Sequence, residues 1–102
     1  LVEYLIDKGH DVIALDTQKG IMYDYLQEKG ANIILGSVTD REAVKKSLEG
    51  VEGVFHLAAA FRQVNATQKT YWDVNVEGTR ILCEESLERP IRKFVSYFYI
   101  FP

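Results

Sequence analysis

The acid with the clearest chemical placement in this 102-residue chain is Asp16, which closes the apolar run Val12, Ile13, Ala14, Leu15. A short, continuously apolar run that begins β-branched is the pattern of a strand covered on both faces in a parallel sheet. Ligands of open α/β sheets sit just beyond the carboxyl ends of such strands. A carboxylate there can accept hydrogen bonds from ribose hydroxyls of a dinucleotide, and a glycine-rich phosphate loop then lies about 20 residues earlier. Counting back from Asp16 runs past Leu1, so that loop is not within these residues. On this evidence alone, an acid that merely ends a strand explains Asp16 equally well.

Other reactive side chains carry less. His56 falls inside the apolar run Val54 to Leu57, where packing or a local hydrogen bond explains it better than a role as ligand or base; His10 sits in a turn. Cys83 is the only cysteine, which excludes an intramolecular disulfide and a multi-cysteine zinc site. Glu84, Glu85 and Glu88 crowd a helix end without a metal-ligand arrangement, so no metal is expected. Lys45 and Lys46 read as a solvated helix face. Tyr71 and Trp72 read as anchors of a helix or of a subunit interface, which leaves room for a homo-oligomer.

The elements that must position Asp16 alternate between strand and helix. Leu1, Val2, Leu5 and Ile6 share a helical face that ends at Gly9; Ile21, Met22, Tyr25 and Leu26 share another that ends at Gly30. Ile33, Ile34 and Leu35 form a second strand, and Gly36 to Asp40 the loop after it. Thr39 with Glu42 has capping-box spacing and opens a helix through Ala43, Val44 and Leu48 to Gly50. Val54 to Leu57 is the third strand and runs into Ala58, Ala59 and Ala60. The longest helix spans about Thr67 to Glu88, with Val74, Ile81 and Leu82 on its apolar face and Pro90 after it; a last strand starts at Phe94. Strand and helix alternating at these lengths imply βαβ units and a parallel sheet.

Composition narrows the function classes. The chain is 47% hydrophobic with a net charge of −3, which fits one folded unit over residues 1–102 and argues against disorder. No basic footprint for nucleic acid is present, and no apolar run approaches the roughly 20 residues of a membrane span. With one cysteine and no signal peptide, a cytoplasmic setting is expected.

The succession GHDVIALD, ILGSVTD, GVFHLAAA, YWDVNVEGTR and RKFV resembles the extended short-chain dehydrogenase/reductase family, the NAD-dependent epimerases and dehydratases. The likeness runs from Leu1 to about Val95, and its most specific pieces are HLAA and DVNVEGT in that order. It implies NAD as cofactor and a partial Rossmann domain, a doubly wound parallel sheet with flanking helices, here lacking the first strand, the glycine-rich loop and everything after the fifth strand. It further implies a small-molecule substrate for the intact parent, a nucleotide-sugar or related hydroxyl-bearing compound, with a steroid-type or flavonoid-type reductase as the alternative. A non-catalytic dinucleotide-sensing module is the reading from another class.

Carried over by position, Asp16 matches the ribose-binding acid and Thr17 follows it. Val38 matches the apolar residue against adenine, and Leu57, Ala58, Ala59 and Ala60 match the strand end whose backbone passes beside the cofactor. Asn75 matches the asparagine of the long helix. Ser37 departs from the pattern, because it stands where the family usually has an aspartate for the adenine amino group. After RKFV the chain reads Ser96 to Pro102, without the family's catalytic hydroxyl residue or a Tyr-x-x-x-Lys motif, so no catalytic residue is assigned and the chain as it stands is expected to be inactive.

Two physical expectations follow. In the family's sheet a further strand lies between the one ending at Asp16 and the one at Val54 to Leu57. Without it, those strands must pair directly, recruit another chain, or leave edges unmade at about 1 to 3 kcal/mol per buried bond. The segment KFVSYFYIF is aromatic and β-branched with one charge at its start, the composition of an aggregation-prone edge. Deleting residues 97–102 should therefore raise the soluble yield, measured as the supernatant fraction after expression.

Overall fold

In the computed structural model, residues 1–57 and 68–96 are described, apart from the side chains of Thr70 and Tyr71. Helix α1 (Val2–Asp7) leads to strand β1 (Ile13–Asp16), helix α2 (Tyr23–Glu28) to β2 (Asn32–Leu35), and α3 (Arg41–Ser47) to β3 (Gly53–His56). A long helix follows in three parts, α4 (Gln68–Trp72), a π-helical segment (Asp73–Gly78) and α5 (Thr79–Leu87), before β4 (Lys93–Ser96). This is the alternating order read from the sequence.

The strands do not form one sheet among the described residues. β1 pairs in parallel with β2 and β3 in parallel with β4, as two separate two-stranded sheets. Direct pairing of β1 with β3 is therefore not the outcome. The expectation that β1 is covered on both faces is also corrected, since Ile13, Ala14 and Leu15 are only half-buried. An open cleft beside β1 accounts for this, because it leaves one edge of the strand in contact with solvent.

Helix ends follow local chemistry. Gly9 and Gly30 adopt φ of 89° and 109°, a region that L side chains enter at a steric cost. Each closes the same motif: Gly9 N–H bonds Ile6 C=O and His10 N–H bonds Leu5 C=O, while Gly30 N–H bonds Gln27 C=O and Ala31 N–H bonds Leu26 C=O. Two starts differ from expectation. Tyr23 N–H bonds Gly20 C=O in a turn, so α2 begins later than Ile21, which stays fully exposed rather than on the apolar face. Asp40, not Thr39, caps α3; its extended backbone lets the carboxylate accept Glu42 N–H at 3.1 Å, whereas Thr39 is engaged with Ser37.

The core lies where α3 meets α5. Val44 is completely buried, with Leu48, Ile81 and Leu82 around it and Leu15, Val54 and Phe94 packed at the margin. One charge is buried beside this cluster: Glu85 accepts from Arg41 at 2.6 Å and from Arg89 at 3.2 Å, while Arg41 also bonds Glu84 at 2.8 Å. These guanidinium contacts, Arg41 first, hold the Glu85 carboxyl below its ordinary range. The bridge ties the start of α3 to the C-terminal half of α5, and Glu84 and Glu85 are thereby structural.

Gly78 allows the closest approach. A Cβ there would lie 2.6 Å from one methyl of Val38 and 3.3 Å from its Cβ. The close packing expected of this glycine is present, but against the loop after β2 rather than against the sheet. Val38 is β-branched and stiff, so it cannot yield cheaply. Alanine ordinarily gains up to about 1 kcal/mol over glycine in a helix. Here overpacking, at about 1–3 kcal/mol, should win. Gly78→Ala is expected to lower unfolding stability by about 1 kcal/mol, read as a reduced urea midpoint at constant m.

Candidate functional site

The carboxyl ends of β1 and β2 lie side by side, because Gly36 N–H bonds Asp16 C=O at 2.8 Å. This brings Asp16 and Thr17 next to Ser37 and Val38, four of the residues singled out in the sequence. Asp16 is exposed, and its Oδ1 accepts the backbone N–H of Thr17 at 2.7 Å, which fixes the carboxylate at the strand end. The other oxygen has no protein partner among the described residues. Asp16, Val38, His56 and Leu57 line the same cleft of about 1460 Å³. Thr17, Ser37 and Asn75 lie outside that lining.

The arrangement qualifies several roles. Ser37 Oγ pairs with Thr39 Oγ1 at 2.8 Å and accepts Thr39 N–H at 3.1 Å, so its hydroxyl already closes a turn within its own loop. Val38 is 9% exposed and carries two contacts, one to the cleft and one to the space over Gly78. Leu57 is exposed at the end of β3. Asn75 lies on the π-helical segment and its carbonyl accepts the Thr79 hydroxyl at 2.9 Å. Ala58, Ala59 and Ala60 lie outside the described residues. No cluster of His, Cys, Asp or Glu capable of holding a metal occurs among the described residues. Nor is any described helix long and apolar enough to cross a membrane.

His56 bonds locally, as its position in the strand suggested. It is 5% exposed, and its Nε2 lies 2.8 Å from Thr79 Oγ1. Because that hydroxyl spends its proton on the Asn75 carbonyl, the Nε2–H tautomer of His56 is the one that completes the chain. The chain ties the end of β3 to a helix segment whose i→i+5 bonding is rare and concentrated at functional sites. Thr79 was not singled out in the sequence. Its signal is the threonine four residues after Asn75, the spacing at which a hydroxyl bonds back to a helix carbonyl.

A model of the NAD dependent epimerase/dehydratase family matches residues 1–97. The chain belongs to this family. Among curated relatives, it is 29% identical over 102 residues to UDP-glucose 4-epimerase of Streptomyces lividans, covering 93% of this chain and 30% of the relative. It is 26% identical over 101 residues to a 3 beta-hydroxysteroid dehydrogenase/Delta 5-->4-isomerase of Mycobacterium tuberculosis, covering 93% and 26%. Among solved structures, gox2253 superposes with a TM-score of 0.74 at 28% identity, over 93% of this chain and 28% of that one. A short-chain dehydrogenase/reductase superfamily protein of Agrobacterium tumefaciens, solved with bound NAD, gives 0.61 at 25% identity, over 83% and 31%. The chain thus spans less than a third of the length of these relatives, and it is an α/β piece matching part of their fold.

Burial lowers the pKa of His56 below the ordinary histidine value. The folded state therefore resists a proton that the unfolded chain accepts at about pH 6.5. The stability this group contributes is complete above that pH and is lost as pH falls toward the folded value. The urea midpoint of this NAD-dependent epimerase/dehydratase relative should fall between pH 7.5 and 5.5, and His56→Gln should flatten the fall.

Proposed function

We propose that residues 1–102 form the adenosine-binding part of an NAD-dependent oxidoreductase or epimerase whose substrate is a hydroxyl-bearing small molecule of the nucleotide-sugar class. The observation that carries this reading is the Asp16 carboxylate, held by Thr17 N–H at the carboxyl end of a parallel strand and open toward a cleft. The donor set fits: an oriented acceptor pair suits the two hydroxyls of a ribose. Val38 and Leu57 supply apolar surface for close approach, and Asn75 sits where the long helix is locally widened. The domain is then a partial doubly wound sheet, with β1 and β3 as neighbours of a strand not included in residues 1–102.

NAD, when bound, supplies a hydride acceptor. The residues of this chain bind and orient it; acid/base chemistry is assigned to none of them, because the Tyr-x-x-x-Lys spacings present, Tyr4 to Lys8 and Tyr25 to Lys29, fall at α1 and α2 rather than after β4. Residues 1–102 alone are accordingly assigned no turnover. A sterol or steroid substrate is the second reading, supported by the likeness to the hydroxysteroid dehydrogenase and to a sterol demethylase protein B of Methylococcus capsulatus, 37% identical over 60 residues that cover 59% of this chain and 18% of the relative. Trp72 and Val76, exposed one turn apart on the long helix, suit a homo-oligomer contact.

The 2′-phosphate of NADP would bring negative charge against Asp16, and Thr17 and Gln18 offer no guanidinium to neutralise it. Titration of the full-length parent should show NAD binding about tenfold more tightly than NADP, the ratio expected of about 1.4 kcal/mol. Asp16→Ser should bring the two affinities close together. An unchanged ratio would reduce Asp16 to a strand end.

A further inference from the structure

Of residues 36–40, the loop after β2, Val38 alone lines the cleft that Asp16 also lines, and it does so while only 9% exposed. Its backbone has little freedom. Gly36 N–H bonds Asp16 C=O at 2.8 Å, Asp40 N–H bonds Ser37 C=O at 3.0 Å and Thr39 N–H bonds Ser37 Oγ at 3.1 Å, so the chain is held on both sides of Val38. The loop is also pressed onto α3, since a Cβ at Gly36 would lie 2.9 Å from Ala43 Cβ. Asp40, which ends the loop, is committed to the start of that helix through Glu42 N–H.

Behind Val38 stands the long helix. Gly78 is buried at the end of the π-helical segment, and Val38 fills the space its missing side chain leaves: a Cβ there would lie 2.6 Å from Val38 Cγ2 and 3.3 Å from Val38 Cβ. The helix is fixed in turn, because Ile81 and Leu82 sit in the core with Val44. With the loop bonded in front and the helix packed behind, Val38 can escape an overlap only by turning a methyl or by shifting its backbone. Branching at Cβ restricts the first, and hydrogen bonds resist the second. Either movement changes the apolar surface that Val38 presents to the cleft.

We propose that Gly78 is a positioning residue for the nucleotide end of the cleft: its bare α-carbon seats Val38, and Val38 so seated sets the room for the flat apolar face of a purine. This rests on the reading of Asp16 as the ribose acceptor. The base joined to that ribose needs an apolar wall beside the carboxylate, and Val38 is the apolar side chain that the end of β2 supplies there. Gly78 is not part of the cleft lining and acts through Val38. A methyl at position 78 therefore weakens the contact to the base and leaves the contacts to ribose and phosphate in place.

The test titrates the full-length parent with NAD, AMP and ribose 5-phosphate, with circular dichroism confirming that each variant is folded. Gly78→Ala should weaken NAD and AMP by about tenfold, an overpacking cost read at the site. Ribose 5-phosphate, which has no base, should change by less than about twofold. In the Val38→Ala background, where the methyl that would be struck is gone, Gly78→Ala should change AMP affinity by less than about twofold, the non-additivity of residues that act through one contact. That comparison also decides the matter if Gly78→Ala alone does not fold. Unchanged AMP affinity in Gly78→Ala, equal weakening of AMP and ribose 5-phosphate, or an undiminished loss in the Val38→Ala background would each overturn the proposal. Asp16→Ser tests the reading beneath it and should weaken all three ligands. If it weakens none, the adenosine reading fails and the proposal with it; if it weakens all three while Gly78→Ala weakens none, the proposal alone fails.

Discussion

The packing of α3 against α5 is the contact through which the two sheets belong to one body. α3 lies on β1 and β2 and also meets α5, so it is the element that links the first sheet to the second half of the chain. Val44 sits at the centre of that contact with no exposed surface. Beside it, Arg41 reaches across to Glu85 and Glu84, and a buried carboxylate is tolerable there because two guanidinium groups supply its hydrogen bonds. Apolar burial provides the attraction and the charge network fixes the alignment. Without strand pairing between the sheets, few backbone bonds duplicate this link.

Much of this was legible in the sequence because the signals were local. Gly9 and Gly30 announced helix ends since few other residues tolerate their backbone angles, and the apolar runs announced strands by composition. Asp16 was identifiable because its placement depends only on where one strand stops. The parts that escaped are set by contacts distant in sequence. Arg41 pairs with a residue 44 positions away, and Thr79 meets His56 across 23. The cap of α3 escaped for the opposite reason: Thr39 and Asp40 are adjacent and both able to cap, and the hydroxyl of Ser37 decided between them.

The candidate site unites two kinds of precision. At Asp16 the backbone does the work, through the Thr17 N–H on the carboxylate and the Gly36 N–H on the carbonyl. At Asn75 it is side chains, His56 and Thr79, that connect strand to helix. The histidine of this connection is held toward its neutral form by burial.

The widened turn at Asp73–Gly78 has a consequence for how this helix can vary in length. A π-type segment accommodates one residue more than an α-helix of the same span. The surplus is taken up locally, so the phase of α5 relative to the core need not rotate by the 100° that an inserted residue imposes on a regular helix. Ile81 and Leu82 can keep their inward direction while the turn before them widens or tightens. The helix therefore has slack where Gly78 meets Val38, and single-residue insertions or deletions there can remodel that surface without re-indexing the buried stripe.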